Sequence, residues 1–180
     1  TLSCSSAASD VYKRQVLRRL RDAVARLQPK TLLEVGASIG HRTAWILDDF
    51  ERRNQRPDML TLVEPGGKFG VILKRLRQRY DALPWSSVVV GEPSQLAAEH
   101  QAWKLASASV SELSQTPFMS AYDVVVVDGP SSKRADLVAT YLEMLSPNGV
   151  LFTVEPDMPT GEIAEDDWEG MGSVSYTHLR

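Results

Sequence analysis

TLLEVGASIGHRTAWIL, residues 31–47, changes character twice along its length. Thr31, Leu32, Leu33 and Val35 give an apolar run of the length of a buried strand. Gly36-Ala37-Ser38-Ile39-Gly40 then makes a glycine turn, and Ala44, Ile46 and Leu47 continue at helical spacing. Strand, glycine turn and helix in that order form a ligand cradle in α/β proteins. Glycine lets the backbone approach the ligand, and the first N–H groups of the helix face it. The spacing is G-x-x-x-G, with Glu34 two residues ahead of the first glycine, and it is not the G-x-G-x-x-G of dinucleotide-binding folds.

Upstream, VLRRLRDAVARL (16–27) is apolar at 16, 17, 20, 23, 24 and 27, which predicts an amphipathic helix with a solvated arginine face, ended by Pro29. Downstream, a helix is expected over 41–53, a loop over 54–58 and a second strand at MLTLV (59–63), closed by Glu64. A carboxylate at that strand end can accept from both hydroxyls of a ribose, so Glu64, followed by Pro65, is the first candidate for an adenosine ligand. The alternative is that Glu64 caps the next turn. The helix that follows, to about Tyr80, is expected to turn Val71, Ile72, Leu73 and Leu76 inward. SVVV (87–90) reads as a third strand ending at Gly91-Glu92-Pro93, and 94–119 as a helix and then a looser stretch.

YDVVVVD (122–128) is the second informative run. Four consecutive valines predict a strand buried on both faces, at the centre of a parallel sheet. Asp128 closes it, at the end where open α/β sheets bind ligands. A helix over 133–145, a turn at Ser146-Pro147-Asn148-Gly149 and a fifth strand at 150–154 complete the pattern.

Glu34-Val35-Gly36-(three residues)-Gly40 resembles the first motif of class I S-adenosylmethionine-dependent methyltransferases. The three-residue gap and the helix after it are most similar to the catechol/caffeoyl-CoA-type O-methyltransferases. The order strand, Asp128, helix, Leu145-x-Pro147-x-Gly149, strand is similar to the fourth and fifth motifs of the same proteins, so the resemblance covers about residues 30–160. It implies a Rossmann-like, doubly wound parallel sheet in the order 3-2-1-4-5. It also implies Glu34, Gly36, Ala37, Ser38, Gly40, Glu64, Pro65, Gly91, Glu92 and Asp128 around S-adenosylmethionine, with Glu92 equally readable as a helix-capping acid. The implied reaction is in-line methyl transfer to the hydroxyl of a small-molecule acceptor, which needs alignment and exclusion of water more than covalent help.

The family holds Mg²⁺ through an acid after strand four and an Asp-Asn pair after strand five. Asp128 matches the first position; Glu155-Pro156-Asp157 stands at the second, with Gly161 four residues on and no asparagine. The implied metal ligands are therefore Asp128, Glu155 and Asp157, the latter two also readable as a solvated acidic loop. Ser131 stands where the family has a lysine, leaving Lys133 as the candidate to act with Asp128 in catalysis or to cap a helix start. His41 is read as solvated or capping, or as a contact to the ligand.

Residues 1–15 and 174–180 resemble translated adaptor sequence, so the methyltransferase domain is expected over 16–173. Strands six and seven of the family have no counterpart after Val154, and a C-terminally truncated domain with an open edge at strand five is expected. Setting the ends aside removes the only cysteine, Cys4, and with it thiol and zinc–thiolate chemistry. The composition of the full sequence, 43% hydrophobic and 24% charged in 180 residues, suits one ordinary globular domain. A net charge of −3 leaves no footprint for nucleic acid, and no apolar run reaches the roughly 18 residues of a membrane span. The expectation is a cytoplasmic enzyme with a small-molecule acceptor and room for a homodimer. Three other readings stay open: a cofactor-binding relic or regulatory module without turnover, a tRNA methyltransferase, and a nicotinamide dehydrogenase. The last lacks the third-glycine spacing and a Tyr-x-x-x-Lys pair.

Overall fold

The computed structural model describes residues 4–107 and 116–153. Five parallel strands, β1 (Thr31–Val35), β2 (Met59–Glu64), β3 (Ser86–Val90), β4 (Tyr122–Val127) and β5 (Leu145–Thr153), form one sheet in the order β3-β2-β1-β4-β5. This is the order expected from the resemblance. Among the described residues five α-helices cover the two faces: α1 (Cys4–Leu27), α2 (His41–Arg53), α3 (Gly67–Arg79), α4 (Pro93–Ser107) and α5 (Ser131–Leu142).

The period of two along a strand explains why the central strands are apolar throughout. Leu32, Val124 and Val126 pack on one face with Leu20 and Val24 of α1, Ile46 and Phe50 of α2 and Leu73 of α3. Leu33, Val35, Val125 and Val127 pack on the other face with Ala97 of α4 and Leu137 and Tyr141 of α5. All four valines of β4 are fully buried, which is what a run without alternation requires. Glu34 shares the face of Leu32, so its carboxylate points toward α2 from inside the sheet.

Four expectations are corrected. Helix α1 is continuous from Cys4, because no proline or glycine interrupts 4–27. Val71 and Ile72 are exposed; α3 buries Gly70, Leu73 and Arg77, a stripe at three and four residues that leaves both outside it. Helix α5 starts at Ser131 and ends at Leu142, so Leu145 belongs to β5. The Ser146–Gly149 turn lies within β5 as an excursion: Tyr122 pairs with Leu145, and Val124 next pairs with Val150. Tyr122 Oη donates to Thr61 Oγ1 at 3.0 Å and accepts from Met119 N–H, tying β4 to β2 across the sheet.

Candidate active site

The strand order reverses between β1 and β4, the switch point outside whose carboxyl ends open α/β sheets carry a ligand crevice. Gly36 has φ +76°, and a Cβ there would stand 2.3 Å from the carbonyl oxygen of Asp128. Both the backbone conformation and the approach of the two chains demand glycine. Gly36 N–H and Ala37 N–H both donate to Val63 O, while Asp128 N–H donates to Val35 O, so the ends of β2, β1 and β4 are stitched together at this point. Gly40, at φ +80°, is the N-cap of α2, and no side chain caps the helix.

Glu64 closes β2 and is buried. One carboxylate oxygen accepts from Ser38 N–H at 2.6 Å and the other from Gly66 N–H at 2.8 Å. Glu64 thus holds the glycine turn after β1 and the start of α3 together, so the capping role is real. Each oxygen keeps a second lone pair for a further donor. Ser38 is exposed and takes φ +53° to present its N–H, an uncommon conformation for a residue with a side chain. Pro65 is exposed, and Gly91 N–H donates to Glu64 O at 3.1 Å, placing the end of β3 beside it. Ile39, Phe69 and Val90 leave apolar surface exposed on this side of the crevice.

On the other side lies a residue the sequence reading passed over. The guanidinium of Arg42, in the first turn of α2, donates through Nε to Glu34 Oε1 at 2.8 Å, through Nη1 to Asp128 Oδ2 at 3.0 Å and through Nη2 to Gly36 O at 3.0 Å. Thr43 Oγ1 donates to the second Glu34 oxygen at 2.7 Å. Burial lowers the pKa of Arg42, but the Glu34 and Asp128 carboxylates outweigh it and the net direction is upward. The one hint in the sequence was a cation in a helix's first turn, where the helix dipole disfavours it. Such a placement calls for a buried anion nearby, and Glu34 is fully buried.

Asp128 is one-third exposed. Its Oδ1 accepts from Gly129 N–H at 2.8 Å and lies 3.9 Å from Arg134 Nη2, which itself donates to Gly129 O. Lys133 does not join this group. It sits on the exposed start of α5, with Nζ 3.5 Å from Glu92 Oε1, so the two candidates pair with each other at the rim. His41 is exposed. Of the proposed metal ligands, Glu155 and Asp157 lie outside the described residues. Among the described residues no three acidic, histidine or cysteine side chains cluster as a metal site.

The structure therefore gathers Glu34, Gly36, Ala37, Ser38, Gly40, Glu64, Gly91 and Asp128 at one crevice, with Pro65, Glu92 and Lys133 on its rim. Comparison with solved structures bears on the same region. An O-methyltransferase from Bacillus cereus in complex with SAH superposes with a TM-score of 0.60 at 14% identity, covering 77% of this chain and 55% of that one. TomG from Streptomyces achromogenes, an O-methyltransferase of tomaymycin synthesis solved with SAM, gives 0.59 at 17% identity, covering 81% and 61%. A protein from Staphylococcus aureus provisionally assigned as a caffeoyl-CoA O-methyltransferase gives 0.55 at 15%, covering 82% and 63%. This chain has the class I methyltransferase fold. It spans less than two thirds of the length of each of these three proteins. No protein-family model and no curated protein matches it. None of its described helices is long and apolar enough to cross a membrane.

Proposed function

We propose that the chain is an S-adenosylmethionine-dependent methyltransferase acting on a hydroxyl of a small molecule. The observation that carries this reading is the convergence of the glycine turn, the Glu64 carboxylate and Asp128 on one crevice at the carboxyl edge of the sheet. Glu64, with an unused lone pair on each oxygen, suits two ribose hydroxyls. The exposed apolar side chains of Phe69 and Val90 beside it suit a flat base. The uncapped first turn of α2 suits an amino-acid carboxylate. When bound, the cofactor supplies a methyl group already activated on a sulfonium. The protein's part is then to align the acceptor oxygen with that methyl and to keep water out. We assign the acceptor contact to Lys133, which is exposed on the rim.

Calorimetric titration with S-adenosylmethionine, its demethylated product SAH and NAD tests the reading. Micromolar binding of the first two and none of NAD is expected; preference for NAD would sink it. A cofactor-binding module without turnover is favoured by one observation, the pairing of Lys133 with Glu92 away from Asp128. SAH binding with no methyl transfer to any phenolic or aliphatic hydroxyl would select that reading. A cytoplasmic setting and a homodimer belong to the proposal and are tested by fractionation and by sedimentation.

A further inference from the structure

We propose that Asp128 is not a metal ligand in this protein and that Arg42 is its resident cation. The inference deepens the methyltransferase reading by taking the divalent ion out of the crevice, and it rests on that reading for its meaning in catalysis. The geometry stands by itself. Arg42 Nη1 is bonded to Asp128 Oδ2 at 3.0 Å, and the remaining oxygen accepts from Gly129 N–H and faces Arg134. A hard cation needs oxygen at about 2.0–2.6 Å. Oδ2 already carries the Arg42 guanidinium, and Oδ1 carries Gly129 N–H with a second guanidinium 3.9 Å away, so a cation at Asp128 would have to share Oδ2 with Arg42 or bind Oδ1 within the field of both arginines.

Arg42 cannot step aside to admit it. Its Nε holds Glu34, which is fully buried and has Thr43 Oγ1 as its other partner. Withdrawing the guanidinium would strand a buried carboxylate, the costly half of breaking a buried pair. Arginine also cannot yield by losing its proton. Among the described residues, two carboxylates, Glu34 and Asp128, face two guanidinium groups, Arg42 and Arg134, so their charges balance without a divalent ion. The residue after Gly40-His41 thus decides the ion chemistry of the crevice: with Arg42 in place, Asp128 anchors the loop and shapes the pocket, and the acceptor is gripped without chelation.

The test uses the whole chain and Mn²⁺ as the metal probe. Free Mn²⁺ is counted by electron paramagnetic resonance while amide resonances are followed for paramagnetic broadening. The expected result is no site tighter than about 1 mM, the weak end of protein cation sites, or a site whose broadening spares the amides of Gly36, Asp128 and Gly129. A site tighter than that which broadens those amides, and which D128N abolishes, overturns the proposal. Broadening at the three amides counts against it even if D128N fails to fold. Calorimetry with SAH in excess chelator separates the two claims: unchanged affinity fits both. No SAH binding under any condition removes the methyltransferase reading and leaves the Mn²⁺ result standing.

Discussion

The two halves of the crevice are built on opposite plans. The half at β1 and β4 is closed on itself: Glu34, Arg42, Thr43, Gly36 O and Asp128 satisfy one another through bonds of 2.7–3.0 Å. The half at β2 and β3 is held by a single carboxylate, Glu64, on two backbone N–H groups, with exposed apolar side chains around it. The first half resembles a hinge pin, fixed before any ligand arrives. The second keeps unused lone pairs and apolar surface, the features a ligand can engage. Substitutions in the first half should therefore act mainly on stability, and substitutions in the second mainly on binding.

The sharpest way to break this contrast is R42A. It leaves Glu34 buried and charged with only a hydroxyl for company, and a loss of about 3–5 kcal/mol is expected from chemical denaturation. A loss below about 1 kcal/mol would mean that the knot is not what fixes this half. G36A comes next. It adds a Cβ 2.3 Å from a backbone oxygen at φ +76°, where backbone strain alone is worth about 1–3 kcal/mol. Both stability and SAH affinity should fall, since the loop that moves belongs to both halves. E64A should reverse the balance, because it removes the charge together with its bonds and leaves the N–H of exposed Ser38 for water to satisfy, whereas R42A strands a buried carboxylate. SAH affinity should fall by more than ten-fold while the unfolding midpoint shifts less than in R42A. Equal effects of E64A and R42A on stability would erase the distinction between the halves.

The same contrast explains what could be seen in the sequence and what could not. The central strand, the glycine turn and the strand-end acids Glu64 and Asp128 were legible because each leaves a local signal: an unbroken valine run, a paired glycine, an acid at a strand end; the strand order came only with the resemblance. Arg42 was not, since its role depends on Glu34 facing α2 and on Asp128 arriving from a strand 86 residues away. The excursion within β5 reads as a turn because Ser-Pro-Asn-Gly carries turn chemistry wherever it stands, and only pairing with β4 shows that the strand runs on both sides of it. Val71 and Ile72 misled for a related reason: in a run of apolar residues only the position of the partner sheet selects the buried stripe.

Away from the crevice, His100 offers a smaller test of how a closed environment behaves. It is buried in α4 between Trp103 and Phe118, with Nδ1 3.0 Å from Thr116 Oγ1 and, among the described residues, no hydrogen-bond partner for Nε2. Burial, with Lys104 adding to it, pushes its pKa below 6.5. The unfolded chain therefore binds a proton first as pH falls. Stability is full above about pH 6.5, declines below it, and levels off once the folded histidine also titrates, with a slope of at most about 1.4 kcal/mol per pH unit. H100F should flatten that window in denaturation curves taken from pH 7.5 to 5. A slope that survives in H100F belongs to another group.

The smallest effect is expected at the rim. Lys133 and Glu92 are 63% and 46% exposed and 3.5 Å apart, a pair that solvent screens and side-chain entropy opposes. A double-mutant cycle of K133A and E92A should give a coupling of no more than about 0.5 kcal/mol, vanishing in 1 M salt. That weakness is what makes Lys133 informative. Because its pair contributes so little to the fold, K133A can change turnover without changing the crevice. Methyl transfer reduced ten-fold or more with SAH affinity intact would place the lysine at the acceptor, as a group that moves inward from its resting contact with Glu92. Turnover unchanged in K133A would leave the acceptor to be aligned by the pocket wall, and would confine the chemistry of this protein to the two halves of the crevice itself.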